Sequence, residues 1–341
     1  MPGLDIGIDL GTYSIKFFAR KKGIILSEET AICYDTFTGD AVAIGNNAGQ
    51  MLDRLPESLV LKRPIVGGVV SDFPSMTHIL SHFIKEVCKK RIFRPNLIIS
   101  APCCVTSLEK KTVIEAACAA GAGKVHITDE PIVSAIGAGL SRDNPHGVMV
   151  VDIGAGTTDI AVITMGTVAW ASSIKTAGDS FDEAISSYLK REKDIVAGTH
   201  TVRKIKHTVG SVFPRDEEVE AVYSGKDYIT GLPRPFLVRA NETVRVLKEP
   251  LDVIFSAILD VLEQTPPELY SDICNEGILL TGGSAKLYGI DKELSARLGI
   301  KVTCAADSEN CAAKGAGYIL KNIKRLEDNG YSFRSRESLN V

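Results

Sequence analysis

The chain alternates between two kinds of hydrophobic pattern. Short, continuous apolar runs at 97–100, 148–151 and 278–280 predict buried strands. Between such runs, apolar residues recur every three or four positions, as they do over 250–264, and this spacing predicts amphipathic helices. Strands that alternate with helices indicate an α/β fold in which helices cover the faces of the sheets.

Local signals mark where several helices begin. Pro74 suits a first helical turn, and a helical spacing of apolar residues follows it from 76 to 87. Thr106 and Glu109 have the spacing of a capping box, which predicts a helix that ends near Gly121. Further helices are predicted over 180–192 and 201–209.

Two distant segments, 5–12 and 150–158, follow the same pattern. In each, an apolar strand delivers an aspartate, a turn rich in glycine and threonine follows, and a second apolar strand returns. Since the copies lie about one domain apart, they indicate a duplicated α/β domain folded around a central cleft.

Composition narrows the class of protein. A chain of 341 residues exceeds the size at which one hydrophobic core stops growing, so two lobes are expected. The net charge of −3 gives no basic excess, and nucleic acid is not an expected partner. The first residues lack a signal-peptide pattern, and charged residues interrupt the most apolar region, 148–171, so a cytoplasmic protein is expected.

The two matching turns suggest a clamp for phosphate groups. Glycine lets backbone N–H groups approach an anion closely, and threonine hydroxyls add further donors. Asp9 and Asp152, at the ends of the preceding strands, could hold Mg²⁺ through its water molecules. Either turn alone would be interpreted as an ordinary β-turn, but two copies with matched aspartates favour phosphate binding. The strand that runs into 281–283 is a third place where a nucleotide could approach the backbone.

Together these segments resemble the ATPase superfamily of actin, heat-shock chaperones and sugar kinases, and within it the MreB family of bacterial actins, the rod-shape-determining proteins. The hairpins fit the whole superfamily, whereas 230–233 and 265–269 are more particular to MreB-like chains. The segments that carry the resemblance are 5–12, 63–64, 68–73, 129–131, 135–140, 150–158, 230–233, 265–269, 271–273, 277–283 and 314–317.

The resemblance implies an actin-like fold with two duplicated α/β lobes, or four subdomains, around a nucleotide cleft. Lobe I would span 1–147, with a small subdomain at about 30–73, and a C-terminal helix at about 310–323 would complete it. Lobe II would span 148–309, with a small subdomain at about 185–245. A polar tail would occupy 324–341.

The resemblance also implies roles for individual residues. Glu130 would position the water that attacks ATP, Thr158 would help to order that water, and Asp9 and Asp152 would hold Mg²⁺ through water. The residues implied to contact the nucleotide are Gly11, Thr12, Tyr13, Ser14, Gly154, Ala155, Gly156, Thr157, Arg203, Lys206, Gly282, Gly283, Ser284, Ala285 and Lys286.

Several of these positions depart from the family pattern. Tyr13 and Ser14 stand where Ala-Asn is usual, and Ala155 and Ser284 replace glycines. Arg203 replaces a glutamate that accepts hydrogen bonds from ribose hydroxyls, which a guanidinium cannot do. The function implied is a slow ATPase that polymerises. Two alternatives stay open: a nucleotide-binding filament that hydrolyses little, and a small-molecule kinase.

A short apolar tip, Ile92 and Phe93, lies within a basic segment made of Lys85, Lys89, Lys90, Arg91 and Arg94. Such a tip suits insertion into an anionic bilayer surface, although Phe93 could instead pack back onto its domain. The family resemblance places a membrane loop here and favours insertion. It implies filaments on the inner face of the cell membrane that work with cell-wall elongation proteins to organise wall synthesis and rod shape.

Overall fold

The computed structural model describes residues 4–19, 21–89, 93–140, 145–328 and 334–335. Its strands are β1 (Asp5–Leu10), β2 (Ser14–Ala19), β3 (Gly23–Glu29), β4 (Ile32–Asp35), β5 (Ala41–Ile44), β6 (Leu59–Lys62), β7 (Ile65–Val66), β8 (Val69–Val70), β9 (Asn96–Ala101), β10 (Val125–Asp129), β11 (Val148–Ile153), β12 (Thr158–Thr164), β13 (Thr167–Ile174), β14 (Ile195–Val196), β15 (Glu220–Asp227), β16 (Pro233–Arg239), β17 (Ile278–Thr281), β18 (Val302–Cys304) and β19 (Arg334–Ser335).

The helices are α1 (Asn46–Gln50), α2 (Phe73–Cys88), α3 (Ser107–Ala119), α4 (Glu130–Gly137), α5 (Gly178–Glu192), α6 (Thr199–Thr208), α7 (Ala240–Val246), α8 (Lys248–Glu263), α9 (Pro267–Glu276), α10 (Ile290–Leu298) and α11 (Cys311–Asp328). The capping box of Thr106 and Glu109 is present at the start of α3, as predicted. Over the ranges described above, no helix combines the length and apolar character needed to cross a bilayer.

Two large sheets repeat one topology. The six-stranded sheet has the order β19-β10-β9-β1-β2-β3, and the five-stranded sheet has the order β13-β12-β11-β17-β18. In each, three consecutive strands form an antiparallel meander, and the first of them pairs in parallel with a later strand, β9 or β17. The sequence repeat thus corresponds to two equivalent hairpins, β1–β2 and β11–β12.

Each sheet has its own buried core. One hydrophobic cluster draws on residues 6–127 and a second, larger one on residues 149–302. We call the parts of the chain around these cores the first half and the second half. Two smaller sheets, β5-β4-β6 and β14-β15-β16, fall within the ranges predicted for the small subdomains.

Helix α11 returns to the first half and packs on β1, β9 and α4. A Cβ atom added at Gly315 would lie 1.8 Å from the Val133 carbonyl oxygen, so the backbones of α11 and α4 are in direct contact. This contact fixes α4, which begins at Glu130. The helix continues through Asp328, past the predicted end near 323, because no glycine or proline occurs between Gly317 and Gly330.

Candidate functional site

A cleft of about 440 Å³ lies where the two equivalent hairpin turns and the end of β17 meet. Most of the residues predicted to form the site line it. They are Asp9, Gly11, Thr12, Tyr13, Ser14, Glu130, Asp152, Gly154, Ala155, Arg203, Lys206, Gly282, Gly283, Ser284 and Lys286.

The two turns are closed in the same way. The Gly11 N–H donates to the Ser14 carbonyl at 3.0 Å, and the Gly154 N–H donates to the Thr157 carbonyl at 2.9 Å. A Cβ atom added at Gly156 would lie 2.5 Å from Thr12 Oγ1. Glycine at this position therefore lets the two turns approach each other across the cleft.

Four predicted residues do not line the cleft: Gly156, Thr157, Thr158 and Ala285. Thr158 is fully buried, and its hydroxyl donates to the Thr176 carbonyl at 2.7 Å. The Thr157 hydroxyl is hydrogen-bonded to Asp159. Both hydroxyls therefore hold β12 and its neighbours in place in this conformation, and the role of Thr158 in ordering water stays a prediction.

Buried carboxyl groups gather at the base of the cleft. Burial raises the pKa of Asp9, and it raises that of Asp152 to about 6 although Ser134 Oγ and Thr281 Oγ1 donate to Asp152 at 2.6 and 2.7 Å. The pKa of Glu130 lies well above its usual value, first because of burial and then because Asp152, Asp159 and Asp9 are close. The base of the cleft thus concentrates negative charge that a cation would neutralise.

Sequence reasoning missed Lys16, whose ammonium lies among these carboxylates. Its positive charge offsets part of the rise in the pKa of Asp9 and of Glu130, and its ammonium donates to the Glu309 carbonyl. Lys16 stands directly opposite Asp9 in the β1–β2 ladder. A lysine in an otherwise apolar strand, facing a candidate metal residue, is the signal that could have identified it.

Another wall of the cleft is formed by α5 and α6. Lys206 Nζ lies 2.9 Å from Asp182 Oδ1 and donates to the Gly178 carbonyl at 2.8 Å. Asp182 also accepts from Arg203 Nε at 3.3 Å. Asp179 and Asp182 line the cleft but were not predicted, since nothing in the sequence shows that the start of α5 faces α6.

These residues fit a magnesium ion held mostly through water. Within the described ranges, no group of three or more His, Cys, Asp or Glu side chains is placed to bind a metal directly. Mg²⁺ keeps several waters and uses few carboxylates, which suits Asp9 and Asp152 at the base of a narrow cleft. The buried carboxylates of Asp9 and Asp152 would supply the electrostatic attraction for the ion.

The predicted membrane tip is described only in part. Ile92, Lys90 and Arg91 lie outside the described residues. Phe93 is 57% exposed, which argues against its packing into the domain. Lys85, Lys89 and Arg94, the described basic residues of this segment, are also exposed.

Comparison with known proteins identifies relatives over almost the whole chain. The family model for MreB/Mbl protein matches residues 3–328. The cell shape-determining protein Mbl of Bacillus cereus is 44% identical, covering 94% of this chain and 97% of Mbl. The cell shape-determining protein MreB of Escherichia coli K12 is 40% identical, covering 94% of each chain.

Solved structures agree with the sequence comparisons. MreB5 of Spiroplasma citri bound to ADP superposes with a TM-score of 0.91 at 31% identity, covering 96% of this chain and 99% of MreB5. The MamK double helical filament, 19% identical, superposes with a TM-score of 0.79 over 93% of this chain and 98% of MamK, and so shares the fold. The predicted actin-like fold and family resemblance are confirmed: the chain belongs to the MreB/Mbl family of actin-like, cell-shape-determining cytoskeletal proteins.

Proposed function

We propose that this chain binds ATP with Mg²⁺ in the cleft and assembles into filaments on the inner face of the cell membrane. The observation that carries the proposal is the pair of equivalent glycine turns that face each other above buried carboxylates. Support comes from MreB5 of Spiroplasma citri, which has been solved with ADP and with AMPPNP.

Each group of residues would have a role that follows from its chemistry. Backbone N–H groups of the two turns, with the Thr12 and Ser14 hydroxyls, would hold phosphate oxygens. Asp9 and Asp152 would hold waters of Mg²⁺, and the ion would neutralise charge on the phosphates. Lys206 and 282–286 would line the adenosine. Glu130 would orient a water and accept its proton.

A specific observation favours a second candidate, a filament that binds nucleotide but hydrolyses little. Arg203, which stands where the family has a ribose-binding glutamate, is paired with Asp182 and lies over the Tyr13 ring. With Arg203 at this position in the cleft wall, the chain could bind ATP without holding it where a water molecule attacks. Phosphate release measured together with sedimentation separates a slow ATPase from a structural filament.

Family membership supports the cellular part of the proposal. MreB and Mbl relatives are named as cell shape-determining proteins, and we assign this chain to the same process, with cell-wall elongation proteins as partners. The membrane part rests on the exposed Phe93 within its basic surroundings.

A pelleting assay tests the whole proposal. The chain should sediment on addition of Mg²⁺ and ATP, and it should sediment or float with anionic liposomes under the same conditions. Neutral liposomes should bind less, because the basic residues contribute only at an anionic surface. A chain that stays in the supernatant at all protein concentrations with ATP would rule out the filament.

We expect Phe93→Ser to release filaments from anionic liposomes without preventing polymerisation. One phenylalanine contributes about 1.5–3 kcal/mol when buried, which is marginal for a monomer but is multiplied along a polymer. Co-flotation of preformed filaments with liposomes measures the loss, and raised salt should weaken binding of the parent.

Phe37→Ser provides the matched control, because Phe37 is also exposed, at 86%, but lies outside the basic segment. It should leave liposome binding as in the parent. If Phe93→Ser blocks assembly instead, Phe93 belongs to a contact between subunits and not to a membrane anchor.

A further inference from the structure

Two positions that depart from the family pattern meet across the cleft. Tyr13 lies in the turn between β1 and β2, in the first half of the molecule, and Arg203 lies on α6, in the second half. The Arg203 Cζ atom is 3.9 Å from the centroid of the Tyr13 ring, a close cation–π contact. The two departures from the family pattern therefore form a single contact in the structure.

The first half holds the tyrosine ring in place. The Tyr13 hydroxyl donates to Glu29 Oε1 at 2.8 Å, and Glu29 Oε2 is ion-paired with Arg63 Nη2 at 2.6 Å. The Arg63 Cζ atom lies 4.8 Å from the centroid of the same ring. Because Glu29 is buried, this arrangement fixes the ring at the edge of the cleft.

The second half holds the arginine. Arg203 Nε donates to Asp182 Oδ2 at 3.3 Å, and Nη2 lies 3.6 Å from Asp179 Oδ1. Two carboxylates thus balance its charge, so Arg203 is poorly suited to capture a phosphate group. Its side chain is only 17% exposed, and a cation–π contact is stronger when it is shielded from water.

A second bridge joins the same helix to the first half. The His200 Nε2 atom lies 3.0 Å from the Gly49 carbonyl oxygen, and Thr199 Oγ1 donates to Asp53 Oδ1 at 3.3 Å. Helix α6 therefore contacts the first half at its start and again at Arg203, while Lys206 on its next turn lines the cleft. Moving the halves apart would break both bridges.

We propose that Tyr13, Arg203, Arg63 and Glu29 form a latch that holds the two halves together and sets the rate at which nucleotide leaves the cleft. The latch rests on the proposed nucleotide binding. A closed latch narrows the route past Tyr13 and α6, so that release requires the ring and the guanidinium to separate.

Release of a fluorescent ADP analogue, chased with unlabelled ATP, measures the latch in the full chain. Tyr13→Ala and Arg203→Ala should each speed release by roughly 2- to 30-fold, the range that one cation–π contact supports. The double variant should be no faster than the faster single variant, since either change removes the same contact. Tyr13→Phe keeps the ring, so its release should be slower than that of Tyr13→Ala.

Two further variants separate a latch from a direct contact with nucleotide. Arg63 is not among the residues that line the cleft, yet Arg63→Ala should also speed release because it loosens the ring. Lys204→Ala removes an exposed cation from the neighbouring position on α6 and should release nucleotide at the parent rate.

Hydrogen exchange on the nucleotide-free chain tests the latch without any ligand. Amides of α6 and of the turn between β1 and β2 should exchange faster in Tyr13→Ala, in Arg203→Ala and in Asp53→Ala, which removes the Thr199 hydrogen bond of the second bridge. If the parent binds no nucleotide, the proposed function fails while this measurement still decides on the latch. Parental exchange in all three variants, or independent effects of Tyr13→Ala and Arg203→Ala on release, would overturn the latch.

Discussion

Glu130→Gln should reduce ATP turnover by about 10²- to 10⁴-fold, the usual contribution of a positioned proton acceptor, while nucleotide affinity stays within a few-fold. Glu130 begins α4, which α11 holds from behind, so its carboxylate is presented to the cleft by a rigid element. Glutamine keeps the size of the side chain and removes its ability to accept a proton. Phosphate release and equilibrium binding of a fluorescent nucleotide measure the two effects separately.

Folding should survive this substitution. Burial and the nearby Asp152, Asp159 and Asp9 raise the pKa of Glu130, which means that its negative charge is disfavoured where it stands. An uncharged amide removes that repulsion. Glu115→Gln, on the exposed face of α3, is the control and should behave as the parent. Equal losses of binding and turnover in Glu130→Gln would mean that Glu130 helps to bind the phosphate groups and does not orient the attacking water.

Much of the fold could be predicted because its two central hairpins are local in sequence. An apolar run, an aspartate and a glycine turn specify each hairpin without help from distant residues, and β1–β2 and β11–β12 form as expected. The two small sheets were not predicted as sheets. In β15 the apolar Val222 is exposed and the charged Asp227 is buried, so its sequence lacks the regular alternation of apolar and polar residues that predicts a strand.

The residues of the site likewise fall into two groups, those that the local sequence predicts and those that it does not. Residues in the two turns and after β17 could be predicted because a strand end and a glycine turn suffice to place a phosphate-binding backbone. Asp179 and Asp182 reach the cleft only through the packing of the tertiary fold, whereas Lys16 faces Asp9 within the local β1–β2 hairpin. The contact between Tyr13 and Arg203 is of this second kind, since the two residues come from different halves of the molecule. The sequence shows that Tyr13 and Arg203 each depart from the family pattern, but it does not show that the two side chains are in contact.

Asp9→Asn and Asp152→Asn should each abolish most of the Mg²⁺-dependent part of ATP affinity, a loss of the order of 10- to 100-fold. Both carboxylates lie at the base of the cleft, at matching ends of β1 and β11, where they would hold waters of the ion. Titration of nucleotide in Mg²⁺ and again in EDTA isolates this part of the affinity. The parent should bind much more tightly with Mg²⁺, and the variants should bind about equally in both.

Asparagine is the better substitution at Asp152, because Ser134 and Thr281 donate to that side chain and are themselves fully buried. Alanine would leave both buried hydroxyls without an acceptor. The amide oxygen of asparagine can still accept their hydrogen bonds. Asp5→Asn lies on the same strand as Asp9 but is exposed, so it should keep the full response to Mg²⁺. If Asp9→Asn and Asp152→Asn respond to Mg²⁺ as Asp5→Asn does, the matched hairpins do not form a metal site. The buried charge at the base of the cleft would then have to be neutralised by protons, as the raised pKa values of Asp9 and Asp152 already favour.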